Sequence, residues 1–211
     1  MRNELISLII IVMFFIVAVY FYPQIPEQVA SHWNTQGEVN GYMPKFWGIF
    51  LIPLISLGLF LLFIAIPKID PLKYNIKKFR KYYDYFVILF FVFMFYIYVL
   101  TVLWNIGMRF NMTQLLIPAL GILFYYCGIL VENAKRNWFI GIRNPWTLSS
   151  EKVWNKTHKL GGKLFKISGI IAFGGILFEK YSIWFVLVPV LFVAAYTIVY
   201  SYFEYQKEQK K

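Results

Sequence analysis

The sequence predicts an all-α integral membrane protein: a bundle of six transmembrane helices with both termini cytoplasmic, a short outer loop domain and an inner amphipathic helix. Three observations predict it. Hydrophobic residues make up 60% of the 211, and the mean hydropathy is +0.60, where a soluble domain is about 45–50% apolar. The apolar residues gather in uncharged runs near the length of about 20 residues that crosses a bilayer core as helix. The Lys and Arg between those runs fall almost wholly on one side.

Taken in order, the expected spans are residues 4–22, 46–66, 83–104, 113–132, 163–179 and 182–203. The first could be mistaken for a secretion signal, but it is long for one and no small-x-small cleavage site follows it at once, so it reads as a retained helix. The fifth is short and glycine-rich. Pro53, Pro118 and Pro189 fall in the second, fourth and sixth spans. Each removes one helix hydrogen bond and can bend its helix, a break that bundle neighbours can repair. The organisation expected is residues 1–66 as two spans with an extracytoplasmic loop (23–45), a basic cytoplasmic connector (67–82) with an interfacial helix, and a four-span region (83–211) with a cytoplasmic loop (133–163).

The net charge is +11. In a soluble chain that balance would raise nucleic acid. Here the charge lies between spans, which points to topology and to the anionic lipids of the inner leaflet, with no direct nucleic-acid partner. With the N-terminus inside, 18 of the 21 basic residues are cytoplasmic, and only Lys45, Arg109 and Lys180 lie outside. That asymmetry sets the orientation in the cell membrane. Cys127 stands alone inside an apolar run, so no intrachain disulfide forms.

The outer loop, "SHWNTQGEVNGYMPK" at residues 31–45, is the first concentration of polar chemistry. Pro23 and Pro26 end the first span. Gly37 and Gly41 supply freedom for two turns, and Asn40-Gly41 is the strongest local turn signal. His32, Asn34 and Glu38 either cross-link a compact turn or serve recognition. Trp33 and Tyr42 fit an aromatic belt at head-group level, with Lys45 near lipid phosphates. A metal usually needs three or four ligands, and His32 and Glu38 offer two. Nothing nearby resembles an activated nucleophile, so no catalytic residue, metal or cofactor is assigned.

The inner loop runs from Asn137 to Phe165, "NWFIGIRNPWTLSSEKVWNKTHKLGGKLF". Thr147 or Ser149 can cap a helix, with Glu151 in its first turn. From there Lys152, Lys156, Lys159 and Lys163 follow one side, and Val153, Trp154, Thr157, His158 and Gly161 another. This pattern reads as an amphipathic helix on the inner leaflet that turns into the fifth span at Gly161-Gly162. Arg143, flanked by Trp138 and Trp146, can stack, clamp a phosphate, bind a partner's carboxylate, or pair with Glu132. His158 has no metal-binding companions and reads as a satisfied histidine.

These two loops carry a resemblance. The outer segment, with Pro26, His32, Trp33, Gly37, Gly41, Tyr42 and Lys45 in place, looks like the short extracytoplasmic domain of unassigned function that opens many bacterial and archaeal membrane proteins. The inner segment resembles the signature of the SdpI immunity-protein family. Gly141, Ile142, Arg143, Pro145, Trp146, Thr147, Leu148, Trp154, Thr157, His158, Gly161 and Gly162 fill it. Asn144 departs from it, since many members have Thr there. The resemblance implies a non-enzymatic protein that protects its cell from a secreted membrane-active peptide toxin, and that also captures a cytoplasmic transcriptional repressor. Together with the reading of the loop residues above, it makes His32, Trp33, Asn34, Gly37, Glu38, Gly41, Tyr42 and Lys45 candidate ligand contacts outside, and Arg143, Pro145, Trp146, Thr147, Trp154, Thr157 and His158 candidate partner contacts inside. The alternative is a membrane transporter or membrane-embedded enzyme acting on a lipid or small solute. Such proteins usually carry ionisable residues near mid-membrane, and here Asp84, Asn105, Glu132 and Asn133 all lie near span ends.

Overall fold

Six helices are long and apolar enough to span a bilayer, and they dominate the computed structural model, which describes residues 2–210. In order the elements are α1 (Arg2–Phe21), β1 (Gln28–Trp33), β2 (Val39–Pro44), α2 (Lys45–Ile69), α3 (Lys73–Asn105), α4 (Met112–Asn133), the short α5 (Pro145–Ser149), α6 (Glu151–Gly174) and α7 (Trp184–Gln209). A backbone surrounded by lipid must satisfy its own polar groups, and a helix does so within one segment. Pro53, Pro118 and Pro189 sit inside α2, α4 and α7, and each helix continues through its proline. The protein is a multi-pass membrane protein of helical fold, as the hydropathy predicts.

α1, α2 and α3 pack on one another, α6 packs between α4 and α7, and α3 touches α4. α3 has 33 residues, more than the about 20 that a bilayer core needs. Its backbone leaves helical geometry at Phe79 (φ −123°, ψ 17°), which separates a basic first segment from the span proper. The connector, in which a helix was expected, is thus helical from Lys73. Just past the break, Arg80 pairs with Asp84 and with Glu4 of α1.

The fifth span departs from expectation. No turn occurs at Gly161-Gly162: α6 is one unbroken helix of 24 residues, and the amphipathic segment is its first half. The glycines serve close packing. A methyl group on Gly162 would lie 2.7 Å from the carbonyl oxygen of Gly128, and one on Gly128 would lie 2.5 Å from that of Gly162. Gly121 and Gly169 repeat the arrangement two turns away, at 2.9 and 2.6 Å. Small residues let helix backbones approach in lipid, where packing rather than water expulsion holds helices together. Glycine's low helix propensity, which suggested a break, is overridden by this contact.

Two apolar clusters matter for the loops. Phe14, Ala18, Ile49, Tyr98 and Val102 close around Ile25 and Val29 from the outer loop. Ile76, Phe79, Tyr83 and Leu130 close around Ile140 and Trp154 from the inner one. Both polar loops are therefore plugged into the bundle by apolar side chains.

Candidate functional site

The outer loop is an antiparallel hairpin of β1 and β2. Its tip lies at residues 34–37 rather than at Asn40-Gly41. Gly37 takes the left-handed backbone (φ 82°), and Asn34 organises the turn. The Asn34 Oδ1 accepts from the backbone N–H of Gln36 and of Glu38, and its Nδ2 donates to the Glu38 carboxylate at 3.0 Å. Asn40 and Gly41 lie within β2. Gly41 is needed for another reason: a Cβ there would sit 2.9 Å from the His32 Cβ across the ladder. The His32 Nδ1 bonds the Asn40 Oδ1, so the cross-linking expected of His32 runs to Asn40. Lys45 pairs with Glu27 at 3.5 Å and stands over the Tyr22 ring.

Groups distant in sequence hold this hairpin down. Asn105, at the end of α3, accepts from the Ala30 N–H at 2.8 Å and donates to the Ala30 carbonyl at 3.0 Å. Its amide thus acts as a third strand beside β1. At the tip, the Asn111 Nδ2 donates to the Gln36 carbonyl and to Glu179, and the Thr113 hydroxyl donates to the Asn34 carbonyl. Trp33 packs edge-on to Trp104 with centroids 5.8 Å apart, turned inward rather than forming part of a belt. His32, Glu38, Asn40 and Tyr42 remain exposed. Beneath the hairpin, between β1 and helices α2, α3 and α4, lies a cavity of about 290 Å³.

On the basic face, residues 134–150 fold back on the helix ends. Asn137 is fully buried and bonds four backbone groups: its Oδ1 accepts from Phe139 and Ile140, and its Nδ2 donates to the carbonyls of Lys135 and Ile140. Asp70, from the α2–α3 connector, accepts from the backbone N–H of Trp138 at 2.9 Å and of Leu72 at 2.6 Å. Asn144 caps α5 in a reciprocal capping box with Thr147 and also donates to Ser201 of α7. Ser150 caps α6, so neither Thr147 nor Ser149 is the cap there. The Ser150 hydroxyl also bonds Glu208, and Lys156 pairs with Glu204.

Trp154 and His158 are buried and stack with ring centroids 3.8 Å apart. The Trp154 indole donates to the Ala134 carbonyl at 2.8 Å. The Ile142 N–H donates to the His158 Nε2 at 3.0 Å, and the His158 Nδ1 lies 2.9 Å from the Trp154 carbonyl. A backbone N–H only donates and a carbonyl only accepts, so the ring is neutral with its proton on Nδ1. The expected satisfied histidine is found. Gly141 takes φ 113° against this ring, leaving no room for a Cβ.

The inner candidates therefore divide. Thr147, Trp154, Thr157 and His158 are buried, and Trp146 packs on Tyr202. Arg143 and Pro145 are exposed. Arg143 donates to the Trp138 carbonyl at 2.7 Å. The proposed pairing with Glu132 does not form, because Glu132 is taken by Lys166 at 2.6 Å. The sequence reading missed Asn105, Asn111, Thr113, Asp70, Asn137 and Glu204. A usable signal was present in part: short amides and an aspartate at helix ends favour bonding to nearby backbone.

Comparison with known proteins follows the same two segments. Residues 133–201 match the SdpI/YfhL protein family, and residues 8–57 match a domain of unknown function (DUF1648). Along 208 residues, 98% of both chains, the protein is 26% identical to a protein of Bacillus subtilis (strain 168) named Immunity protein SdpI. No solved structure matches.

Proposed function

We propose that this chain, which resembles the SdpI family through its inner segment and an immunity protein along nearly its whole length, is a non-enzymatic immunity protein of the cell membrane. In this reading the hairpin faces outward and meets a secreted, membrane-active peptide. The exposed part of the inner loop, around Arg143, is offered to a cytoplasmic repressor. The observation that carries the reading is the end-to-end similarity to Immunity protein SdpI. The rigid hairpin agrees with it, since its buried residues are tied down while His32, Glu38, Asn40 and Tyr42 are left facing out. The carboxylates Asp84, Glu132 and Glu204 each sit in an ion pair with a basic residue, an arrangement that favours structure over a transport path.

The test is growth of a sensitive host, with and without this gene, in culture supernatant of the source organism. Wild-type protein should protect. Tyr42→Ala combined with Glu38→Ala should lose protection at unchanged membrane abundance, because both side chains are exposed. Absence of protection by wild-type protein at normal abundance would overturn the reading.

A further inference from the structure

On the basic face, where α2 ends and α3 begins, the two helices enclose a recess of about 350 Å³. Its wall is Pro67 and Lys68 of α2 and Lys73, Ile76, Lys77 and Arg80 of α3. Four of these six residues are cationic and none is acidic. Lys73, Ile76 and Lys77 share one helix face by their three- and four-residue spacing. Arg80 is already neutralised by Asp84 and Glu4, neither of which lines the recess. Lys68, Lys73 and Lys77 are exposed, and their ammonium groups form no ion pair among the described residues. The carboxylate nearest in sequence, Asp70, is buried and turned to the backbone N–H groups of Leu72 and Trp138. Three positive charges thus share one recess with no counter-charge in its wall, an arrangement that repels itself until an anion enters.

The source of that anion is indicated by what adjoins the recess. Leu54, Leu57, Leu61 and Lys68 follow one another down a single face of α2 at three-, four- and seven-residue spacing, which is one to two helical turns. The three leucines are exposed, at 43%, 37% and 62%. The uncovered face of a spanning helix meets lipid chains. This stripe therefore runs from the membrane interior to the basic recess, ending at Lys68. An occupant that satisfies both has an anionic head and an apolar tail on one molecule. A soluble anion would use the lysines and leave the stripe unread. Basic pockets between spans on the cytoplasmic side suit phosphate head groups.

We propose that the recess between Pro67 and Arg80 is a binding site for the phosphate head group of one anionic phospholipid, held by Lys68, Lys73 and Lys77, with an acyl chain along the Leu54–Leu57–Leu61 stripe. The proposal is independent of the immunity reading, and no toxin enters its test. The full-length protein in neutral detergent is titrated with phosphatidylglycerol, and native mass spectrometry reads the affinity for the first bound lipid. Each lysine near an anionic phosphate is worth about fivefold, so Lys68→Gln/Lys73→Gln/Lys77→Gln should weaken that affinity about a hundredfold. Lys77→Gln alone should weaken it about fivefold, which keeps the test open if the triple variant does not fold. Lys152→Gln/Lys159→Gln/Lys163→Gln removes the same charge from exposed positions on α6 and should leave the first lipid nearly as tightly held. Each variant is compared at a wild-type elution profile.

Unchanged affinity in the folded recess variants would overturn the proposal. So would an equal loss in the α6 variant, which would make the attraction a diffuse property of the basic face rather than a site. Phosphatidylcholine with the same chains should bind about tenfold more weakly or worse, because its choline cancels the phosphate charge; equal binding would show that the lysines are not what holds the lipid. Millimolar inorganic phosphate separates the two sources of the anion. It should leave the bound phosphatidylglycerol in place, since it lacks a chain for the leucine stripe. Displacement of the lipid would make the recess a site for a free anion and overturn the lipid assignment.

Discussion

Asn105 offers the sharpest test of how the hairpin is held. A two-stranded sheet has outer edges whose backbone groups need partners, and Ala30 on β1 is fully buried. Water cannot reach its N–H and carbonyl, and the Asn105 amide bonds both, at 2.8 and 3.0 Å. Asn105→Leu keeps a comparable size and deletes both bonds. A buried backbone group left unpaired costs about 1–3 kcal/mol, so two cost about 2–6 kcal/mol. Even the lower value shifts an opening equilibrium about thirtyfold, since 1.4 kcal/mol is tenfold. The assay is amide hydrogen exchange by mass spectrometry in nanodiscs. Exchange across β1 should rise by at least that factor, while α4 and α6 exchange as in wild type. Asn105→Asp keeps only the acceptor, so it should also speed exchange. Unchanged β1 protection in a folded Asn105→Leu protein would refute the reasoning and show that Ile25 and Val29 packing alone seats the hairpin.

Three further outcomes are expected. Gly162→Ala should lower membrane abundance or thermal stability, because its methyl would lie 2.7 Å from the Gly128 carbonyl, whereas Gly58→Ala, with nothing within 4 Å, should be silent; fluorescence-detected elution after heating measures both. Arg143→Lys should weaken protection at normal abundance, since lysine keeps the charge but loses the planar fork; unchanged protection would reduce Arg143 to a charge anchor. In a Cys127-free background, cysteines at exposed Thr35 and Ser149 should label from opposite faces of intact cells, and labelling of both from outside would sink the expected topology.

Hydropathy and charge made the six spans legible because they are properties of whole segments. Glycine was misread twice, for one physical reason. At Asn40-Gly41 and at Gly161-Gly162 the sequence shows a residue able to turn. It does not show the neighbour that forbids a Cβ, here the His32 side chain and the Gly128 backbone. Gly37, whose positive φ is intrinsic to the turn, was read correctly. The anchors were hidden because their partners are remote: Asn105 bonds a strand 75 residues earlier, and Asp70 bonds Trp138 68 residues later. No local pattern announces such a pair. His158 was readable as satisfied only because the stretch lacks companion ligands; its partners, Ile142 and Trp154, came from the fold.

The inner segment shows why a recognisable signature is a poor guide to where a partner would touch. Most of its residues are spent on construction. Gly141 makes way for His158, His158 holds Ile142, Thr147 bonds the Ile142 carbonyl, and Trp154 holds Ala134. Trp154 and His158 join the loop to α6, Asp70 joins it to the α2–α3 connector and Ser201 to α7, so the 134–150 backbone is fixed from several directions at once. Removing one partner strands a buried polar group and weakens the fold. Loss of function in such variants would report on folding first. Arg143 differs because its guanidinium is exposed and its hydrogen bond goes to a single carbonyl, that of Trp138. Trp138 is itself half exposed, at 51%. A guanidinium held from behind and open in front, beside an exposed indole, is pre-organised for a planar anion or an aromatic face at little ordering cost. Function on this face is therefore best sought in the few signature residues that the construction leaves free.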